Sequence, residues 1–235
     1  MIEIKNLSKT YGKQKVVDDL SLTIPTGTIF GFLGPNGAGK TTAMKILVGI
    51  NRPDTGQITI EGKDPSMAST REIIGFMPEE PGSYNQLTGL ELIKFVNNLF
   101  NKNKQSSVDE LENLLKKVGI YEARHKKIKN YSKGMKQRLG FAQALVNNPT
   151  YLFLDEPLEG LDPIGRREIK IILEELKKQG KTIFFNSHIL ADVENICDQI
   201  GIIHRGKLIY SGSVDGFRED KPLEEKFVEV IKSIS

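Results

Sequence analysis

The sequence holds a single cysteine, Cys197, in 235 residues. One thiol excludes a disulfide framework and any metal site built from several cysteines, and it fits a reducing compartment. Tryptophan is absent. No stretch approaches the ~20 consecutive apolar residues that span a bilayer. The longest uncharged one, Leu20 to Gly39, is interrupted by Gly, Pro and Thr. The opening segment, MIEIKNLSKTYGK, carries Glu3 and Lys5 and no long apolar core, so it does not read as a signal peptide. If the protein serves a membrane, another chain is expected to do the spanning. An excess of one charge is lacking too: 33 Lys and Arg against 30 Asp and Glu leave +3. That balance argues against a nucleic-acid binder held by bulk charge, and no nucleic-acid partner is expected. What remains is ordinary globular usage, 38% apolar and 27% charged, with enough chain for one large domain or two small ones.

The first quarter reads as short β-rich runs, Ile2–Leu7, Leu20–Ile24, Thr28–Leu33 and Gln57–Ile60, bounded by Gly and Pro. A helix is expected from about Gly39 through Met44, Leu47 and Val48, and Ile73–Met77 reads as another strand. Between about Pro81 and Asn148 the pattern turns helical. Thr88-Gly-Leu-Glu91 and Ser107-Val-Asp-Glu110 are capping-box starts before apolar helical runs, and Ser132 opens a third helix. Strands resume at Tyr151–Leu154, Thr182–Phe185, Ile200–Ile203 and Leu208–Tyr210. Asp162-Pro163 starts a helix that runs to about Lys178. Leu223, Phe227, Val230 and Ile231 predict an amphipathic tail helix within 222–235. A helical insert within an α/β core is the economical reading.

Two segments carry chemistry. Gly34-Pro35-Asn36-Gly37-Ala38-Gly39-Lys40-Thr41 matches G-x-x-x-x-G-K-[ST], between an apolar strand and a helix. Its glycines let backbone N–H groups turn toward phosphate oxygens, and the following helix adds its positive end. Lys40 is expected to reach the β- and γ-phosphates and Thr41 to ligate Mg²⁺. Tyr151-Leu-Phe-Leu-Asp155-Glu156 places two carboxylates at the end of a buried strand, where ligands sit in open α/β sheets. Asp155 is expected to hold Mg²⁺, and Glu156 to accept a proton from the attacking water. Asn101-Lys-Asn-Lys104 has Lys where a guanine-reading N-K-x-D needs Asp, so a GTPase is not favoured.

Taken in order, these pieces resemble the nucleotide-binding subunit of an ABC transporter over about residues 1–220. Tyr11 sits where that family stacks an aromatic on adenine, with Val16 beside the nucleotide, and Gly34 to Thr42 is its phosphate loop. Tyr131-Ser132-Lys133-Gly134-Met135 falls at the L-S-G-G-Q signature, Asp162 in the D-loop and His188 at the H-loop. The residues alone also allow Tyr11 to be an edge-strand aromatic, Ser132 a helix N-cap and His188 a structural histidine. The resemblance implies a P-loop ATPase core with an antiparallel β-subdomain and a helical subdomain at about 81–148. A tail helix follows at 221–235. It also implies ATP and Mg²⁺ as cofactors, and Ser132 and Gly134 acting across a head-to-tail dimer on the partner's γ-phosphate. His188 would sense the γ-phosphate of its own site. A separate membrane permease would keep the subunit peripheral at the cytoplasmic face.

Two departures stand out. Lys133 and Met135 replace Gly and Gln in the signature. The run Tyr131 to Leu139 is similar to the branch that energises ABC-2-type exporters, bacitracin and lantibiotic pumps among them. Glu79 stands where the family has a Gln that serves Mg²⁺, and a carboxylate can ligate the metal but cannot donate as an amide does. A soluble, non-transport ATPase of the same superfamily and a low-turnover regulatory subunit are the competing readings.

Overall fold

The computed structural model describes residues 1–81, 84–100 and 105–234; the Asn101–Lys104 segment lies outside them. Strands β1 (Ile2–Tyr11), β2 (Gln14–Ile24) and β4 (Thr55–Ile60) form an antiparallel sheet in the order β2-β1-β4. Strands β3 (Ile29–Leu33), β5 (Ile74–Met77), β6 (Tyr151–Asp155), β7 (Thr182–Asn186), β8 (Gln199–His204) and β9 (Lys207–Ser213) form a second sheet. Its order is β5-β6-β7-β3-β8-β9, parallel except for the antiparallel β9.

All five residues of β3, β6 and β7 are buried, which is why they read as unbroken apolar runs. Alternate side chains enter two cores. Phe30, Phe32, Phe153 and Phe184 pack with the antiparallel sheet and the helix after β3. Phe184 lies 5.6 Å from Phe30 and 5.8 Å from Phe153, centroid to centroid. Each such ring contributes roughly 1.5–3 kcal/mol by burial. On the opposite face Leu33, Leu152, Leu154, Ile183, Phe185 and Ile202 pack against helices.

The helix on the antiparallel-sheet face is α1 (Lys40–Leu47). The others are α2 (Ala68–Arg71), α3 (Gly89–Asn97), α4 (Val108–Lys117), α5 (Lys133–Leu145), α6 (Pro163–Lys178), α7 (Leu190–Ile196), α8 (Val214–Arg218) and α9 (Leu223–Ile234). Both capping boxes form. Thr88 N and Ser107 N each donate to their Glu side chain at 2.7 Å, and each hydroxyl accepts from the Glu backbone N–H. Such a cap stabilises a helix by about 1 kcal/mol. The tail helix α9 buries Leu223 and packs on α7 and α8. Among the described residues no helix is long and apolar enough to cross a membrane.

Strands β1 and β2 run longer than the sequence pattern indicates. Asn6 and Asp19 both take positive φ, and the register shifts between Ile4 and Leu7. Asn6 Nδ2 donates to Asp19 Oδ1 at 3.0 Å across the irregularity. A bulge breaks the alternation by which a strand is recognised, and the ladder resumes beyond it to Tyr11. The short helices α2, α7 and α8 had no periodic signal long enough to predict them.

Candidate active site

Parallel register assembles the site. Strands β6, β7 and β3 are neighbours, with Asp155 opposite Asn186 and Asn186 opposite Phe32. Their C-terminal ends therefore deliver Asp155 and Glu156, then Ser187 and His188, then the 34–39 loop to one edge. Strand β5 ends beside β6 and brings Glu79. A cavity of about 330 Å³ opens there, lined by Val16, Asn36, Gly37, Gly39, Lys40, Thr41, Thr42, Glu79, Asp155 and Glu156.

The loop geometry demands its glycines. Gly39 has φ +109, and a Cβ there would lie 2.4 Å from the Val16 carbonyl oxygen. A Cβ on Gly34 would lie 2.3 Å from the Ile203 carbonyl oxygen. Ala38 N donates to Pro35 O at 3.1 Å, and Gly206 N to Ala38 O at 3.0 Å. The loop is thus held by its own turn and by the chain after β8. Lys40 is buried, and its Nζ donates to the carbonyls of Gly34 at 2.7 Å and Pro35 at 3.1 Å. Burial lowers its pKa, while Glu156, Asp155 and Glu79 oppose the shift. Three carboxylates therefore act on the Lys40 ammonium, which also borders the cavity.

Asp155 is 3% exposed and accepts from Asn186 Nδ2 at 2.9 Å. Glu156 sits at φ +52, a strained value for a residue with a Cβ. Its N–H donates to Asn186 O at 3.2 Å. Burial raises the Glu156 pKa, and the contact with His188 pulls it back. His188 Nδ1 lies 2.9 Å from Glu156 Oε2, and the His188 backbone N–H donates to the same oxygen at 3.3 Å. The imidazole thus engages the carboxylate of its own chain.

The other expected residues lie away from this cavity. Tyr11 stands 48% exposed at the end of β1, where Asn51 Nδ2 donates to its hydroxyl at 3.0 Å and Lys9 Nζ lies 5.5 Å from its ring centre. Ser132 is exposed and caps α5, its Oγ accepting from Met135 N at 3.2 Å. Gly134 follows in the first turn, against Gly160 and Leu161. Asp162 caps α6 through Gly165 N at 2.7 Å. Cys197 packs against β3, with its sulfur 2.9 Å from where a Cβ on Gly31 would stand; burial raises its thiol pKa.

Two participants escaped the sequence reading. Asn186 orients Asp155, and Gln137 donates from Nε2 to the Glu156 carbonyl oxygen at 2.7 Å. A signal for Gln137 existed. It lies three and four residues before Gly140 and Phe141 on the buried stripe of α5, and a polar residue there implies a buried partner.

Comparison with known proteins agrees with this geometry. A family model described as ABC transporter matches residues 17–159. An uncharacterized ABC transporter ATP-binding protein of Synechocystis sp. is 46% identical over 91% of this chain, which spans 63% of that protein. The lantibiotic transport ATP-binding protein SrtF of Streptococcus pyogenes is 41% identical over 97% of this chain and 96% of its own length. A solved structure of the ATP binding subunit of an ABC transporter superposes with a TM-score of 0.89 at 30% identity, covering 98% of this chain and 99% of that one. With a matched model over more than half its length and a fold of the same kind, the chain belongs to the ABC transporter family.

Proposed function

We propose that this chain binds and hydrolyses ATP as the energy-supplying subunit of an exporter. In this reading two nucleotide-binding subunits close head to tail over nucleotide and drive a separate membrane permease. The observation that carries the reading is the single cavity shared by Lys40, Thr41, Asp155 and Glu156 at the C-terminal sheet edge. Lys40 and the amides of residues 34–42 hold the phosphates, Glu156 takes a proton from water, and His188 holds the Glu156 carboxylate until it turns to the γ-phosphate. Tyr11 stacks on adenine, with Val16 as a wall. Ser132 and Gly134 serve the partner's nucleotide, and Asp162 lies at the dimer seam. Residues 1–220 form the ATPase domain, with the helical subdomain at about 81–148 and the tail at 221–235.

The oxygen donors Thr41, Asp155 and Glu79 fit Mg²⁺, a hard cation that keeps waters and shares substrate phosphates. When bound, Mg²⁺ supplies neutralisation of the β- and γ-phosphate charge.

Transport is supported by the name of the lantibiotic transport relative, and export by the resemblance of the run Tyr131 to Leu139 to the ABC-2-type exporter branch. The permease would dock on the helical subdomain. There Tyr84 and Phe95 are exposed with ring centres 5.7 Å apart, and Leu99 is 68% exposed. The subunit would then stay peripheral at the cytoplasmic face. Phosphate release by the purified chain, with and without Glu79→Gln, tests the reading, together with pull-down from detergent-solubilised membranes. ATP turnover and capture of a permease are expected; a chain that binds no ATP, or that captures only soluble partners, would overturn it.

A further inference from the structure

The start of α5 and the loop after β6 are tied together within one chain. Gln137 is 4% exposed, and its amide reaches the Glu156 carbonyl oxygen. One turn earlier, Lys133 Nζ donates to Glu159 Oε1 at 2.5 Å. The Lys133 stem also covers Gly160, where an added Cβ would meet its Cγ and Cδ at 2.8 Å. The ion pair is solvent-exposed and weak by nature. The amide bond is buried, and a buried carbonyl that loses a partner is costly.

Glu156 needs such support. A residue with a Cβ at positive φ persists only where its surroundings over-determine it. Its N–H is taken by Asn186 O, and its carbonyl receives both Gln137 Nε2 and Glu159 N, the latter at 3.1 Å. The direction of the carboxylate follows from a backbone pinned at both ends.

We propose that Gln137 is a positioning residue: it fixes the Glu156 backbone so that the carboxylate faces the cavity, and it couples that carboxylate to the helix carrying Ser132 and Gly134. Lys133 braces the same loop from outside. Whatever docks on the exposed start of α5 therefore acts on the carboxylate of this chain's own site. The inference rests on the reading of Glu156 as proton acceptor and deepens it.

Gln137→Met keeps length and bulk but cannot donate. In the purified full chain kcat should fall about tenfold or more with KM for ATP within about twofold, the mark of misplacement rather than lost binding. Amide exchange across residues 156–160 should rise about tenfold while β6 is unchanged, a readout that needs no turnover. Lys133→Glu and Glu159→Lys alter only an exposed pair and leave the fold intact. Each alone should lower kcat about two- to threefold, and the double exchange should restore it. A well-folded Gln137→Met with wild-type kcat and unchanged exchange would overturn the proposal. So would a kcat that falls only in proportion to the folded fraction. Should Gln137→Met not fold, failure of the Lys133–Glu159 exchange to restore kcat would overturn it. Failure of the wider reading looks different: no turnover by the wild type, or full turnover by Glu156→Gln.

Discussion

The loop at 34–42 and the start of α5 both offer backbone amides at a helix N-terminus, but only the first is enclosed. The loop is anchored between β2 and β8 by close approaches at Gly34 and Gly39 that admit no Cβ, and its Lys40 meets three carboxylates across one cavity. The start of α5 is exposed, with Ser132 engaged only in capping its own helix. Tyr11 is likewise in the open. In the proposed reading one half of the site is finished inside the chain, and the other half is presented outward. Parallel strand ends can preorganise phosphate chemistry locally, whereas an exposed helix start acquires an anion only when a second surface brings it.

The enclosed half should be the more sensitive. Lys40→Ala should weaken ATP binding at least a hundredfold, read by fluorescent-nucleotide titration, since it removes the one ammonium that borders the cavity among the described residues. Glu156→Gln should lower kcat by about 10²–10⁴, read by phosphate release, while binding persists. Gly39→Ala forces a Cβ to 2.4 Å from the Val16 carbonyl at φ +109. It should cost about 1–3 kcal/mol in chemical denaturation as well as nucleotide affinity. The presented half should be gentler in the isolated chain. Ser132→Ala should cost about 1 kcal/mol of stability through the lost cap, with monomer ATP binding unchanged. Tyr11→Ala should raise KM for ATP roughly two- to tenfold and leave stability within about 0.5 kcal/mol. Equal losses of ATP binding in isolated Lys40→Ala and Ser132→Ala chains would erase the distinction.

A titration sharpens it further. Burial raises the folded-state pKa of Glu156 above its unfolded value. A carboxyl shifted upward favours folding below the unfolded value, and that contribution is lost as pH rises through the folded one. Glu156→Gln should therefore melt at a higher temperature than the wild type near pH 8, and the gap should close toward pH 4. A gap that widens on acidification would contradict the burial argument.

Much of the enclosed half was legible because its constraints are local. The glycine loop, Lys40, Asp155 and Glu156 each sit at a strand end, and strand ends in a parallel sheet converge whatever the loops between them do. The capping boxes at Thr88 and Ser107 were legible for the same reason, each lying within four residues. What escaped depends on distant partners. The Asn6–Asp19 bulge joins two strands, and the Gln137–Glu156 bond joins elements 19 residues apart. His188 illustrates the limit: its place after β7 was readable, but its engagement with Glu156 is a rotamer choice that no spacing encodes.

The central claim is that the outward half is completed by a second copy. Sedimentation of Glu156→Gln with and without Mg–ATP tests it most directly. The 26.3 kDa species should double in mass when ATP is added, and fail to do so once Ser132→Arg is introduced. A chain that remains at 26.3 kDa with its nucleotide site saturated, or that doubles equally with Ser132→Arg, would contradict the account.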